Sequence, residues 1–137
     1  MRSQLRTLVS AKQGTQRLLR LNNRFPAPFK YLLLIDTGAS CTCVDPSVLS
    51  SLNLTPTGPV TMNTPSTGST PHTAFQYDVS LFIPGSAANQ PPLSLPNIAV
   101  AAAELLTAQG FHALIGRDIL AHCVLVYNGG GLLILAY

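Results

Sequence analysis

The sequence has no tryptophan, little charge and only three cysteines. Charged residues make up 9% of its 137 residues and hydrophobic residues 47%, which is too apolar a balance for a disordered chain. Three cysteines do not form the disulfide framework of a small secreted domain, so we expect a reducing compartment, with the cytoplasm as the default. A chain of this length is expected to form one domain around one apolar core.

Long apolar runs are missing as well. No segment approaches the roughly 18 to 20 apolar residues that a membrane-spanning helix needs. The first eight residues already contain Arg2 and Arg6, ahead of any long apolar segment. We therefore expect no secretory signal and no membrane partner.

Acidic side chains are absent before Asp36, whereas only one of the eight basic residues, Arg117, follows it. The formal charge of +3 thus combines a basic N-terminal segment, residues 1–30, with an acidic body. Nucleic-acid arms and organelle transit peptides share this bias, but they are usually denser in charge and lack apolar clusters like that of residues 18–21. We expect a strand near residues 5–9 and a short helix or irregular segment near 11–21, packed on the domain, and no nucleic-acid partner.

Several catalytic and ligand-binding signatures are missing. There is no Gly-x-Ser-x-Gly elbow of a serine hydrolase and no Gly-rich phosphate loop ending in Lys-Ser/Thr. Cys41 and Cys43 have no second cysteine pair at zinc-ligand spacing, so small packed thiols are the favoured interpretation for both and for Cys123. The sequence predicts no metal and no cofactor.

What the sequence does contain is a series of short apolar segments. Residues 29–35 predict a buried strand that ends at Asp36, and residues 77–83 alternate as a strand with one buried face does. Asp45 and Pro46 predict a helix over residues 47–52. Residues 55–73, rich in Thr, Pro, Ser and Gly, predict an exposed loop or hairpin tip. Further strands are predicted over residues 93–95, 98–102, 111–115, 123–127 and 132–136, with a hairpin turn at 128–131. The fold class is mainly β.

Two of these segments carry the chemical signal. Residues 33–40 read Leu-Leu-Ile-Asp-Thr-Gly-Ala-Ser, and about eighty positions later residues 113–120 read Ala-Leu-Ile-Gly-Arg-Asp-Ile-Leu. Chance produces Asp-Thr-Gly alone in roughly three of every hundred chains of this length, so the pairing of both segments is what matters. Together they resemble the paired signatures of retropepsin-like aspartic proteases, single-lobe members of the pepsin superfamily, over residues 31–137.

The resemblance implies a single-lobe acid-protease fold, with a closed β-barrel-like sheet, psi-loop motifs, a flap hairpin and one or two short helices. It implies that Asp36 is catalytic and that the rest of its loop supports it: Thr37, Gly38, Ala39 and Ser40. It implies a flap that covers substrate and includes Ser66, Thr67 and Gly68. It also implies structural psi-loop residues beneath the catalytic loop: Leu114, Ile115 and Gly116.

Peptide hydrolysis needs a base that activates water and an acid that protonates the carbonyl oxygen, and two carboxylates that share one proton provide both. The chain has one such loop and about half the length of a two-lobed pepsin, so the second carboxylate is expected from Asp36 of a second copy. The resemblance therefore implies a homodimeric endopeptidase that acts on a peptide or protein substrate. Residues 132–136 are apolar on both strand faces and are expected to be buried on both, in the dimer interface.

One position departs from the retroviral pattern. Ser40 stands where many members have an acid that pairs with the Arg of the Gly-Arg segment, so Arg117 needs another partner, such as Asp45 or a backbone carbonyl. We interpret Arg117 and Asp118 as a structural ion pair or as helix-end charges, and not as catalytic groups.

Three other interpretations remain open. Asp36 could merely cap a turn at a strand end. The chain could be a catalytically inactive, dimeric peptide-binding or protein-binding module of the same fold. Residues 35–38 also resemble the first phosphate loop of sugar kinases and actin-like ATPases, although those proteins need two lobes and far more chain.

Overall fold

The computed structural model describes residues 8–11, 33–64, 68–83, 89–104, 110–130 and 132–137. The predicted helix near residues 11–21 lies outside these ranges, apart from Ala11, which belongs to a strand. The first part of the strand predicted over residues 29–35 lies outside them too.

The described residues form nine strands and two short helices, which confirms the mainly β prediction. In chain order they are β1 Leu8–Ala11, β2 Leu33–Ile35, β3 Cys43–Val44, α1 Pro46–Ser51, β4 Gly58–Met62, β5 His72–Ile83, β6 Leu93–Ala102, β7 Ala113–Ile115, α2 Arg117–Leu120, β8 Val124–Tyr127 and β9 Leu133–Ala136.

Seven of the strands form one sheet in the order β1-β5-β6-β3-β7-β2, with β4 paired to β5 beside this path. The sheet curls into a half-barrel, so the closed barrel that the family resemblance implies is seen only in part. Its hydrogen-bonded path ends at β1 and β2, which are not paired to each other in the described part of the chain. The remaining strands, β8 and β9, form a separate antiparallel hairpin.

One apolar core lies inside the curled sheet. The predicted alternation on β5 is confirmed, since Val79, Leu81 and Ile83 are all buried. Leu49 and Ile119 bring the two helices into the same core. Burying a side chain of this size contributes about 1.5–3 kcal/mol, which opposes the conformational entropy lost on folding.

Helix α1 confirms the prediction made from Asp45 and Pro46. Pro46 occupies the first turn, and the Asp45 carboxylate accepts a hydrogen bond from the backbone N–H of Ser47 at 2.8 Å. Asp45 is only 4% exposed, because its carboxylate is used as the helix cap. Asp45 is therefore not the ion-pair partner suggested for Arg117, whose side chain is exposed.

Two predictions about strands need correction. Residues 55–73 were predicted to be an exposed loop or a hairpin tip; the hairpin is confirmed, but β4 lies within this range and pairs with the start of β5, from Gly58 opposite Gln76 to Met62 opposite His72, so the tip is confined to the residues between Met62 and His72. Residues 93–95 and 98–102 are one strand and not two. Pro96 lacks an N–H for the sheet, and β6 continues through it because the register with β5 shifts there and the Ser80 hydroxyl donates to the Pro96 carbonyl at 2.7 Å.

The arrangement of β2, β3 and β7 positions the candidate site. β7 pairs with β2 in parallel, with Ile115 opposite Ile35, and with β3 antiparallel, with Leu114 opposite Cys43. It thus lies between two strands that are consecutive in the chain. Residues 36–42, which join β2 to β3, pass over the carboxyl end of β7, and we call them the Asp36 loop.

The β8–β9 hairpin closes the described chain. Its predicted turn is confirmed, and the Asn128 side-chain oxygen accepts from the N–H groups of Gly130 and Leu132 at 3.1 and 3.0 Å. Leu135 packs against the core, whereas Val126 and Ile134, which face each other across the hairpin, are 49% and 46% exposed. One chain therefore covers only one face of this hairpin. No helix in the described parts is both long enough and apolar enough to cross a membrane.

Candidate active site

The Asp36 loop begins at the carboxyl end of β2, beside the carboxyl end of β7. The backbone N–H of Asp36 donates to the Ile115 carbonyl at 3.0 Å, which extends the pairing of the two parallel strands by one residue. The N–H of Gly38 donates to Asp36 Oδ1 at 2.8 Å, and this bond orients the half-buried carboxylate. A Cβ on Gly38 would lie 3.1 Å from the same oxygen, so glycine leaves room for Asp36 Oδ1 to approach the backbone of residue 38 closely.

The other residues predicted for this loop surround Asp36. Thr37 and Ser40 are exposed, and Ala39 is half-buried. The Ala39 carbonyl accepts from the backbone N–H of Arg117 at 2.9 Å, which ties the middle of the loop to the start of α2. The loop is thus bonded along its length to the segment formed by β7 and α2.

The residues predicted to lie beneath the loop do lie against it. Ile115 is buried, Leu114 is half-buried, and Gly116 directly faces the backbone of Cys41. A Cβ on Gly116 would stand 2.6 Å from both the carbonyl carbon and the carbonyl oxygen of Cys41. The two backbones are therefore in contact, and no side chain fits between them.

Replacing Gly116 by Ala should destabilise the protein by about 3 kcal/mol, because the clash is with backbone and not with a flexible side chain. The measurement is the urea midpoint of unfolding. Gly58→Ala is the matched control, since a Cβ at Gly58 meets no atom within 4 Å. Equal stability of the two variants would show that Gly116 is not in contact with the backbone of the loop.

The predicted flap residues are only partly described. Gly68 lies in the connection between β4 and β5 and has a φ of 59°, a left-handed conformation that favours glycine. Ser66 and Thr67 lie outside the described residues.

Sequence reasoning missed a pair of residues that joins the end of the loop to α2. Thr42 is 2% exposed, and its hydroxyl donates to Asp118 Oδ1 at 2.8 Å while its backbone N–H donates to Asp118 Oδ2 at 2.8 Å. Asp118 was interpreted as half of an ion pair or as a helix-end charge. Asp118 does lie in the first turn of α2, as the helix-end interpretation predicted, and its carboxylate also accepts these bonds across 76 positions of sequence, a contact that no local sequence pattern predicts.

The cysteines are free thiols. Burial raises the pKa of Cys43 to about 12, and the adjoining Cys41 thiol and the Asp118 carboxylate act in the same direction. Cys43 is therefore protonated at neutral pH and is a poor nucleophile. Burial also raises the pKa of Cys123. Within the part of the chain that the structure describes, no three His, Cys, Asp or Glu side chains cluster in a way that could hold a metal ion.

No protein-family model matches the chain, and a search of curated proteins finds no significant match.

Proposed function

We propose that this chain is one subunit of a homodimeric, retropepsin-like aspartic endopeptidase in which each copy contributes Asp36. The observation that carries the proposal is the placement of the Asp36-Thr37-Gly38 turn over the end of β7, with Gly116 against its backbone. The two segments that resemble the protease signatures thus contact each other, although they are about eighty residues apart in the sequence.

The architecture supports the same proposal. A strand lying between two others that a loop joins is the arrangement of a psi-loop, and β7 lies in this way between β2 and β3. The β4–β5 hairpin occupies the part of the chain where the family has its flap. We propose that this hairpin closes over bound peptide, with Gly68 in its tip.

The chemistry follows from two carboxylates that share one proton. The ionised Asp36 accepts a proton from water as the water oxygen attacks the peptide carbonyl carbon, and the protonated Asp36 gives its proton to the carbonyl oxygen. In the resulting gem-diol one hydroxyl returns its proton to a carboxylate, the C–N bond breaks, and the other carboxyl protonates the leaving amine. The bond from Gly38 N–H to Asp36 holds each carboxylate in a fixed orientation throughout.

A second copy is required because a single chain supplies one Asp36. The exposed face of the β8–β9 hairpin is the surface we propose for this contact. It is apolar and uncharged, and it is formed by two cross-strand pairs: Val124 with Ala136, and Val126 with Ile134. A symmetric pair of such faces covers apolar surface that one chain leaves exposed. The free thiols fit the reducing cytoplasm proposed as its location.

The direct test is cleavage of a mixed peptide library by the purified full chain, followed by mass spectrometry. We expect internal peptide bonds to be cut, with apolar side chains at the cut, and a bell-shaped dependence of the rate on pH. Peptide mimics with a hydroxyl in place of the hydrated carbonyl should block cleavage competitively. Tight binding of these mimics without any cleavage would favour the inactive peptide-binding module instead.

The cysteines should be dispensable for turnover, because an aspartic dyad needs no thiol and Cys43 is protonated at neutral pH. Replacing Cys41, Cys43 and Cys123 together by Ser should leave kcat/KM within about tenfold of the parent value. Complete loss of activity in a folded triple variant would instead point to nucleophilic chemistry by a thiol.

A further inference from the structure

Thr42 ends the Asp36 loop and is one of the few buried polar residues of the described chain. Its hydroxyl and its backbone N–H both have hydrogen-bond partners. The hydroxyl donates to Asp118 Oδ1 at 2.8 Å and accepts from the N–H of Gly116 at 3.0 Å. The backbone N–H donates to Asp118 Oδ2 at 2.8 Å. One hydroxyl and one carboxylate thus join the loop to Gly116, the N-cap residue of α2, and to the first turn of α2 itself.

Asp118 is fixed from its own side too. Its Oδ1 also accepts from the backbone N–H of Ile119 at 2.9 Å, and Ile119 is anchored in the core. The carboxylate therefore holds Thr42 in a fixed position relative to α2. Hydrogen bonds to an ionised acceptor are shorter and roughly twice as strong as neutral ones, which suits them to hold a loop in place.

The Asp36 loop is attached to the segment formed by β7 and α2 at both of its ends and at its middle. Asp36 N–H bonds to Ile115 at the start, the Ala39 carbonyl bonds to Arg117 in the middle, and Thr42 bonds to Asp118 at the end. The turn that carries the Asp36 carboxylate lies between the first two attachments and is exposed at Thr37 and Gly38. Its position is therefore determined by these attachments and not by packing on its outer side.

We propose that Thr42 and Asp118 are positioning residues that hold the Asp36 carboxylate where it meets its counterpart in the second copy. This rests on the function proposed above, because the demand for accurate placement comes from two carboxylates that must share one proton. Catalytic groups need to be held within about 0.5 Å, and a displacement of about 1 Å costs on the order of a hundredfold in rate.

The test compares Thr42→Val with Thr42→Ser in the full chain. Valine keeps the shape and loses the hydroxyl, which removes the bond to Asp118 Oδ1 and leaves the buried Gly116 N–H without its acceptor. Serine keeps the hydroxyl and loses a methyl group. We expect Thr42→Val to lower kcat by about thirtyfold to a hundredfold with KM within about threefold, and Thr42→Ser to remain within about threefold in both.

The pH dependence of the rate distinguishes a role of Thr42 in positioning Asp36 from a role in the stability of the fold alone. If the two carboxylates are displaced, the strength of their interaction changes. The two limbs of the bell-shaped rate profile should therefore shift along the pH axis in Thr42→Val and lie at their parent positions in Thr42→Ser. If Thr42→Val does not fold, Asp118→Asn takes its place, because Asp118 is exposed and the amide group cannot accept the bonds of both carboxylate oxygens. For Asp118→Asn we expect about a tenfold lower kcat and a moved profile. A folded Thr42→Val, or failing that Asp118→Asn, with the parent kcat and the parent profile overturns the proposal.

A second readout does not depend on activity. Amide hydrogen exchange should be faster over residues 36–42 and 113–118 in Thr42→Val than in the parent chain, and unchanged in α1. If the parent cleaves no peptide, the function proposed above fails, and this exchange pattern alone decides whether the two residues hold the loop. Unchanged exchange in both segments contradicts the role of Thr42 and Asp118 whatever the activity.

Discussion

Asp36→Asn should lower peptide hydrolysis by about a thousandfold or more while fold and dimer survive. The substitution removes the shared proton of the carboxylate pair, since an amide neither titrates nor accepts a proton from water. It nearly preserves volume, and the amide oxygen still accepts the Gly38 N–H that Asp36 Oδ1 accepts at 2.8 Å. Initial rates on a cleaved peptide, with circular dichroism and sedimentation of the same samples, give the measurement.

Asp78→Asn is the matched control, because it makes the same chemical change in β5, which β6, β3 and β7 separate from β2 along the sheet. It should retain the parent rate within about threefold. Mixing equal amounts of parent and Asp36→Asn chains supplies a sharper test, since random pairing leaves only about a quarter of the dimers with two carboxylates. Retention of half of the parent activity after equilibration would show that each chain acts alone, and a folded Asp36→Asn dimer that cleaves at the parent rate would falsify the assignment.

Ile134→Asp should convert the dimer to monomers and abolish activity with it. Ile134 lies on the exposed, apolar face of the β8–β9 hairpin, opposite Val126. In a symmetric dimer the change occurs twice, and two unpaired charges in an apolar interface cost about 4 kcal/mol or more, roughly a thousandfold in Kd. Sedimentation equilibrium over a range of concentrations measures the effect.

This substitution is a cleaner test than deletion of the last strand, because Leu135 on the opposite face of β9 packs against the core. Ser50→Asp on α1 is the control for added charge, since Ser50 is exposed and outside the hairpin. It should dimerise and cleave like the parent. An Ile134→Asp variant with the parent Kd would place the interface elsewhere, and an active parent that sediments only as a monomer at micromolar concentrations would exclude the dimer altogether.

Short-range features of the fold were predictable from the sequence because they depend on neighbouring residues. Asp45 and Pro46 start α1 through a side-chain cap and a fixed φ, both of which act within one turn. The alternation of residues 77–83 predicted a strand with one buried face, since side chains on a strand alternate between its faces. The division of residues 93–102 into two strands was wrong because the continuity of β6 across Pro96 depends on its register with β5, which shifts there.

By itself, the sequence determined that the chain is mainly β and that one Asp-Thr-Gly turn follows a short apolar strand. The family resemblance implied that residues 114–116 lie beneath the Asp36 loop, but only the tertiary structure decided the register of β7 with β2 and β3, the approach of Gly116 to the backbone of Cys41, and the bonds from Thr42 to Asp118. It also decided which face of the β8–β9 hairpin stays exposed. The physical reason is that strand order and register bring together residues up to 80 positions apart, as in the pairing of Leu33 with Ala113, and such contacts arise from the packing of the whole sheet and not from any local pattern.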